Sequence, residues 1–462
     1  MPRADLRRRL TRKLGDPRVP LILLVFVCVL GVAARSYRLG TPASGGLGQG
    51  YVFDERYYVP AARVIAGRPT QLGDVYTGTA PAGADPNGEH PQLGKLFIAG
   101  GLILLGDNAT GWRVSAVVFG TAALFLLFWL VRCAGGGRWL GLGAVALACG
   151  DNLWLVHSRI AVLDIYVVPF MLAGAVYYLR RQPLIAGAVI GIGCCVKEFA
   201  AYTLLVLLLL ELGRWLAVRR VGGTGRQTGS IARGATSSRR LLRPVVTTLS
   251  AGAVFLTLLA ALDQVVPPYS AGRPVTSDQA AFCGDLLLWK GACNHFVFMA
   301  NYGAALRDRG HPRGITAAPT RFWLDQKAIT YFRSGRRRLQ TRGRRSLTTL
   351  VWFRGEINRV LLFTGWLAIL ANLWWAIRRR DDLSLLVVAW IAGTWLPAEI
   401  SHLVDARTTY LYYMVVTMPG VYIAVARLLS VRQIPRPLVA IWAVAFLWDF
   451  VSLYPIRTLG LS

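Results

Sequence analysis

The sequence predicts an all-α protein threaded repeatedly through a membrane, and three observations predict it. Of 462 residues, 54% are hydrophobic, and the mean hydropathy is +0.45. The apolar residues gather in runs close to the roughly 20 that carry a helix across a bilayer. Only helices and closed barrels satisfy their backbone in lipid, and these runs are too long for barrel strands. The third observation is charge: 52 Lys+Arg against 23 Asp+Glu give +29, shared unevenly among the segments between the runs.

Taken in order, a basic segment 1–18 leads into the run 19–34, which has no convincing cleavage site and is expected to remain as the first transmembrane helix. A polar loop, 35–111, follows. Inside it the run 96–105 (LFIAGGLILL) is too short to cross, so a helix lying at or dipping into the interface is expected. Spans are then expected at 112–132, 138–156, 160–179, 184–197 (short and glycine-rich), 199–217 and 245–262, with a Gly/Ser/Arg-rich flexible loop at 218–243. A long polar segment, 263–357, separates these from 358–377, 383–400, 409–428 and 437–454, which make up the C-terminal part 358–462. The total is about eleven transmembrane helices with two large loops on one face.

Orientation follows from the basic residues. With the N terminus in the cytoplasm, the inner segments hold 25 Lys+Arg and four acids, and the outer segments other than 263–357 hold ten basic residues. That asymmetry selects N-in, C-out, because cytoplasmic loops attract Lys and Arg. Segment 263–357 is itself basic and is assigned outside, since the rule weakens for loops longer than about 60 residues. About half of the basic charge is thereby explained, and with no recognisable nucleic-acid module present, no nucleic-acid partner is expected. Cys28, Cys133, Cys149, Cys194 and Cys195 lie in or beside apolar runs, as small buried hydrophobes. Cys283 and Cys293 share one loop, free to pair if that loop faces an oxidising compartment.

This topology sorts the acids. Only Asp5, Asp16, Glu211, Asp381 and Asp382 fall on the inner side; the other 18 lie in outer loops or near outer helix ends. Ionisable groups collected at one membrane face mark a functional site. In YVFDERYYVPAARVIAG (51–67), Asp54 and Glu55 are adjacent, so on any regular element they point in different directions, and Asp54 alone also fits a helix N-cap. The same loop returns through HPQLGK, where Pro91 suits a first helical turn and Lys95 fits either a snorkelling lysine or a cation poised for a lipid phosphate. Arg113 opens the next span. Asp164 lies inside an apolar run and needs a partner, for which Arg159 or Arg113 is available. Lys197 and Glu198 mark another outer junction, and His402, Asp405 and Arg407 precede Tyr410, Tyr412 and Tyr413. One acid pair, several cations and many aromatic rings on one face suit a displacement at a sugar carbon whose leaving group is a lipid phosphate.

These residues resemble a known family. FDERYY (53–58), HPQLGK (90–95) and the GWR-opened helix (111–113) look like the bacterial protein O-mannosyltransferases, actinobacterial type, which are lipid-carrier-dependent glycosyltransferases of the GT-C fold class. Arg159 with LDIY, Lys197 after a glycine-rich helix, the stretch FVFMANYGAALRDRGHPRGITAAPTRFWLD (296–325) and RTTYLYYMVVTMPG (407–420) fit the same order, so the resemblance runs over most of the chain. It also departs: the family usually has HPPLGK where Gln92 stands here, GEIN (Gly355–Asn358) stands where a Gly-Asn-Pro element is common, and Lys197 is followed by Glu198.

The resemblance implies transfer of mannose from a polyprenyl-phosphate carrier to Ser or Thr hydroxyls of secreted or membrane proteins. The site would lie at the outer face of the cytoplasmic membrane, with inversion at the anomeric carbon. Asp54 would be the general base and Glu55 would support the loop or the acceptor. Arg407, with Lys95, Arg113 and Tyr413, would stabilise the leaving phosphate. His90 and Asp164 would orient the site, with Arg159 and Lys197 supporting. The lipid-linked donor is the one cofactor-like molecule expected. Two adjacent carboxylates and His90 offer ligands for a divalent ion, but the resemblance implies metal-independent chemistry and no metal site is assigned. Coupling to the protein-export machinery is a further expectation. One alternative is a transferase of the same fold that moves another sugar onto a lipid or polysaccharide. Another is a transporter or flippase, which would place its polar groups at the midplane between repeated halves.

Overall fold

The computed structural model describes residues 16–43, 50–219, 237–277, 283, 290–308, 314–324, 328–334 and 348–459. Residues 1–15 of the basic start and most of the loop 218–243 lie outside the described residues. What is described is a helical bundle capped at one end by loop structure.

The bundle follows the predicted spans closely. Its long helices are α1 (Val19–Ser36), α4 (Ala109–Cys133), α7 (Leu163–Leu179), α9 (Tyr202–Arg219), α10 (Ser237–Val265), α13 (Arg359–Arg378), α14 (Asp382–Asp405) and α16 (Arg436–Leu453). Between them stand the shorter α2 (Glu55–Ile65), α3 (Leu93–Leu105), α5 (Arg138–Gly150), α6 (Asn152–His157), α8 (Pro183–Cys194), α11 (Lys290–Ala305), α12 (Pro319–Leu324) and α15 (Met418–Leu429). Seven helices among the described residues are long and apolar enough to cross a membrane, and five more are apolar but shorter. The helices differ in what they face. Only 17% of the spanning window of α10 and of α16 is buried inside the protein, against 56% for α14. Ile22, Val25, Phe26 and Val29 of α1 are each more than half exposed. A soluble protein does not leave such a contiguous apolar surface bare; lipid covers it.

Side-chain caps set the starts of several helices. Asn108 accepts hydrogen bonds from the amides of Thr110 and Gly111 at 3.0 and 3.1 Å. Asn358, from the GEIN element, caps α13 through Leu361 N at 3.1 Å. The short, glycine-rich span is packed tightly. A Cβ on Gly187 would stand 2.3 Å from Thr247 O, and one on Gly191 would stand 2.6 Å from Ala251 O. Small residues four apart let the α8 and α10 backbones touch, the usual way helices associate in lipid.

Three expected spans are not single helices. The span 138–156 breaks at Asp151, whose side chain accepts from Trp154 N (3.3 Å), Asn358 N (2.8 Å) and the Tyr422 hydroxyl (2.7 Å). A carboxylate so engaged starts a new helix, α6, in place of continuing α5. The spans 199–217 and 409–428 begin as 3-10 turns, Glu198–Ala201 and Leu411–Val416, before α9 and α15. The short run 96–105 becomes α3, thirteen residues long.

The fold is also not purely helical. Segment 263–357 carries the two-residue hairpin β1 (Tyr269–Ser270) and β2 (Arg273–Pro274), and contributes β3 (Ile329–Arg333) and β4 (Thr348–Gly355) to an antiparallel sheet completed by β5 (Ile456–Leu459) near the C terminus. This segment is sewn to the rest by bridges between Asp85 and Pro268 and between Arg307 and Arg407. Cys283 and Cys293 form a disulfide within it.

Candidate active site

A cavity of about 1140 Å³ opens where the first loop, the entrance of α9, helix α11, strand β3 and the segment 407–413 meet. Asp54 lines it. Asp54 stands at the N-cap position of α2 but makes no side-chain capping bond, so the cap role open to it in sequence is not the one it takes. Phe53 before it has a φ of 56°, the left-handed region where a bulky side chain is costly. The carboxylate makes no hydrogen bond or ion pair among the described residues. Burial, and secondarily the negative charge of Asp164, push its pKa up to about 6, while Lys197, His90 and Arg56 pull the other way.

Its neighbour behaves oppositely. Glu55 is wholly buried, and its two oxygens accept from Val52 N (2.8 Å), Ala161 N (2.9 Å), Arg113 Nε (2.7 Å) and Arg113 Nη2 (2.7 Å). Arg113 spends its other donors on the carbonyls of Leu39, Pro42 and Gly50. The pair is a bidentate ion pair tying the first loop to the start of α4. The adjacent acids diverge, one saturated in the protein and one bare in the cavity, so they do not form a joint ligand pair for a cation. Among the described residues no group of three His, Cys, Asp or Glu is arranged to hold a metal.

The cations divide in the same way. Lys95 is fully buried and pairs with Asp85, with further bonds to the carbonyls of Asn87 and His90 (2.8 Å for the latter). Arg159 is also buried, bonded to Ala34 O, Tyr37 O and the Tyr454 hydroxyl at 2.8, 2.6 and 2.6 Å. Lys95, Arg113 and Arg159 therefore hold the walls and do not reach the cavity. Lys197 and Arg407 do line it. Lys197 pairs with Asp164 at 2.6 Å, which corrects the expectation that Arg159 or Arg113 would be Asp164's partner. It also lies 4.6 Å from the Phe199 ring centre and 5.6 Å from that of Tyr412. Arg407 donates to Gly303 O and has no carboxylate partner among the described residues. Tyr413 lines the cavity too, its ring edge-on to Phe199 at 5.0 Å. His90 faces Glu198 across 3.2 Å, both at the cavity wall.

Of the residues singled out in sequence, the fold thus brings Asp54, His90, Lys197, Arg407 and Tyr413 together around one space. Glu55, Lys95, Arg113, Arg159 and Asp164 stand behind it. Sequence reasoning missed Tyr331, Tyr302 and Arg56, all of which line the cavity, and left Glu198 without a role. The alternating run ITYFR (329–333) carried a strand signal for Tyr331; nothing local marks Tyr302.

Residues 25–262 match the family described as dolichyl-phosphate-mannose-protein mannosyltransferase. The chain belongs to that family. Among curated proteins it is similar to the polyprenol-phosphate-mannose–protein mannosyltransferase of Corynebacterium glutamicum, 29% identical over 154 residues, covering 33% of this chain and 29% of that protein. It is likewise similar to the enzyme of the same description from Mycolicibacterium smegmatis, 29% identical over 151 residues, 33% of this chain and 27% of that one. The matches thus span less than a third of those relatives. The fold is shared with the S. cerevisiae protein O-mannosyltransferase Pmt1-Pmt2 complex bound to the sugar donor, at a TM-score of 0.64 and 12% identity, over 94% of this chain and 90% of that one. The GT-C fold class expected from the motifs is the fold observed.

Proposed function

We propose that the protein transfers mannose from polyprenyl-phosphate mannose to a Ser or Thr hydroxyl of a protein at the outer face of the cytoplasmic membrane, with inversion and with Asp54 as general base. The observation that carries the proposal is the unpartnered Asp54 carboxylate, facing a cavity that also contains an Arg407 without a counter-charge among the described residues. Donors named in the family and in the C. glutamicum and M. smegmatis relatives support mannose on a lipid phosphate.

The step divides among the side chains. The acceptor hydroxyl oxygen forms a bond to the anomeric carbon as the bond from that carbon to the phosphate oxygen breaks. The hydroxyl proton passes to Asp54, and the bonding pair leaves with the polyprenyl phosphate. A carboxylate with a pKa near 6 is ionised at neutral pH and basic enough to take that proton. Charge grows on the phosphate as it leaves. Arg407, with a guanidinium fork suited to phosphate oxygens, meets it, assisted by the Lys197 ammonium. Tyr413, next to Phe199, flanks that end of the cavity. Glu55, Arg113, Lys95, Arg159 and Asp164 fix the walls.

The outer-face assignment is part of the same proposal. Lys and Arg asymmetry supports it, and so does the Cys283–Cys293 disulfide in a segment that contributes α11 and β3 to the cavity, because disulfides persist outside the cytosol. Acceptor chains emerge from the export machinery on that face, and coupling to it belongs to the proposal. The test is incubation of proteoliposomes with labelled polyprenyl-phosphate mannose and a Ser/Thr peptide. Label entering peptide with wild type and not with Asp54→Asn is the expected result. Label entering glycolipid instead, or an unimpaired Asn variant, overturns it.

A further inference from the structure

Phe53, the residue before the cavity-lining Asp54, is left-handed, and a phenylalanine at positive φ persists only where its surroundings over-determine it. Much of what surrounds Phe53 comes from Tyr331, far along the chain. The Phe53 amide donates to Tyr331 O at 3.3 Å. The two rings stack at 4.2 Å and 23°. Tyr412 closes the other approach, edge-on at 5.4 Å.

Tyr331 is itself held in an unusual place. The register of β3 against β4 shifts between Thr330 and Phe332, so Tyr331 is the extra residue of a β-bulge. A bulge frees one residue from the ladder and re-aims its side chain. Here it leaves the Tyr331 carbonyl for Phe53 and turns the ring onto it. The hydroxyl bonds to His157 Nε2 at 2.9 Å. Among the described residues no partner meets His157 Nδ1, so this hydroxyl is the side-chain hydrogen bond of a fully buried imidazole. A Cβ on Gly355 would stand 2.3 Å from the same hydroxyl, so β4 needs a glycine there to admit it. Bulge, glycine and histidine converge on one ring, and that ring rests on the residue before the base.

We infer that Tyr331 is a positioning residue for Asp54: it locks Phe53 in the left-handed conformation that turns the Asp54 carboxylate away from the helix cap and into the cavity. The inference rests on the proposed transferase reading. It makes the large loop a condition of base alignment and gives Tyr331 a role that requires no contact with substrate.

The test is a double-mutant cycle on mannosyl transfer. Glycine adopts positive φ without strain, so in a Phe53→Gly background the lock has nothing to hold. Tyr331→Ala in the wild-type background is expected to lower kcat about a hundredfold, the usual scale for a catalytic group misplaced by an ångström, with KM for the donor nearly unchanged. In the Phe53→Gly background the same substitution is expected to cost less than about threefold, within the usual scatter of independent sites. Tyr331→Phe keeps the ring and the fold and removes only the bond to His157. It is expected to cost about fivefold in the wild-type background, one neutral hydrogen bond, and nothing measurable in the Phe53→Gly background. Equal losses in the two backgrounds overturn the inference, whichever substitution shows them, because an ordinary packing role is indifferent to the backbone freedom at position 53. Absence of transfer by the wild type itself would instead count against the reaction, not the lock.

Discussion

Asp54→Asn should remove activity and raise stability together. The perturbation is small in shape: one oxygen becomes an amide nitrogen, in a side chain that makes no hydrogen bond or ion pair among the described residues. The wild-type carboxyl is pushed from 3.8 to about 6, chiefly by burial. A tenfold change in proton affinity corresponds to about 1.4 kcal/mol, so holding the charge there at neutral pH costs at most about 3 kcal/mol. Water in the open cavity screens part of this, and a net cost of about 1–2 kcal/mol is the expected figure. The sign follows from proton linkage. Between the unfolded value near 4 and the folded value near 6, the native state binds the extra proton, so wild-type stability falls as pH rises through that window. An asparagine has no such dependence. The variant should therefore melt at about the wild-type temperature at pH 4 and a few degrees above it at pH 7.5, followed by tryptophan fluorescence in lipid nanodiscs. A variant that melts lower at pH 7.5, or by the same margin at both pH values, would refute the picture of an uncompensated catalytic charge. A stability surplus won by deleting a functional group is the usual signature of an active-site residue kept at a cost.

Two further outcomes separate wall from cavity. Glu55→Gln leaves Arg113 buried without its counter-charge, and breaking a buried pair costs about 3–5 kcal/mol; the expected result is a lower melting temperature and poor recovery from membranes at every pH, not a selective kinetic defect. Arg407→Ala removes a half-buried cation with no acid partner among the described residues, so the protein should fold as before while KM for polyprenyl-phosphate mannose rises and kcat falls, read by initial-rate transfer assays. Activity of the wild type should also fall as pH drops through about 6, when Asp54 takes up its proton and ceases to be a base.

Much of the fold is legible in the sequence, and the part that is not has a common cause. Apolar runs locate the helices because the hydrophobic requirement of lipid is local in sequence. The break at Asp151 is only partly visible there: its cap on Trp154 N is local, but the amide of Asn358 and the hydroxyl of Tyr422 that hold the same carboxylate lie far along the chain. The site obeys the same division. That Asp54 and Glu55 part company follows from their adjacency; which of them is bare depends on Arg113 and Ala161. Lys95, Arg113 and Arg159 prove to be occupied in walls, since a Lys or Arg looks the same in sequence whether an acid awaits it or not. Lys95 finds Asp85 only ten residues back, but Lys197 takes Asp164 from a neighbouring helix, an acid for which the sequence offers Arg159 or Arg113.

Gln92, the departure inside HPQLGK, is resolved by the same logic. Its side chain does not line the cavity; it is fully buried, donating to Asp263 at 2.6 Å and to Val266 O at 3.1 Å. Asp263 in turn faces His295 Nδ1 at 2.8 Å, and His295 Nε2 faces Gly88 O at 3.1 Å. The returning wall is thereby tied to the end of α10 and to α11 by side-chain bonds that a proline cannot make. The backbone at Gln92, with φ of −75°, already has the φ that proline takes. Gln92→Pro should therefore cost only the two side-chain bonds and the partner left under-satisfied, about 2–3 kcal/mol in stability. Per folded molecule, transfer kinetics should stay as in the wild type, since no cavity contact changes. A shift in donor or acceptor preference at unchanged stability would place Gln92 in substrate selection and overturn its assignment to the wall.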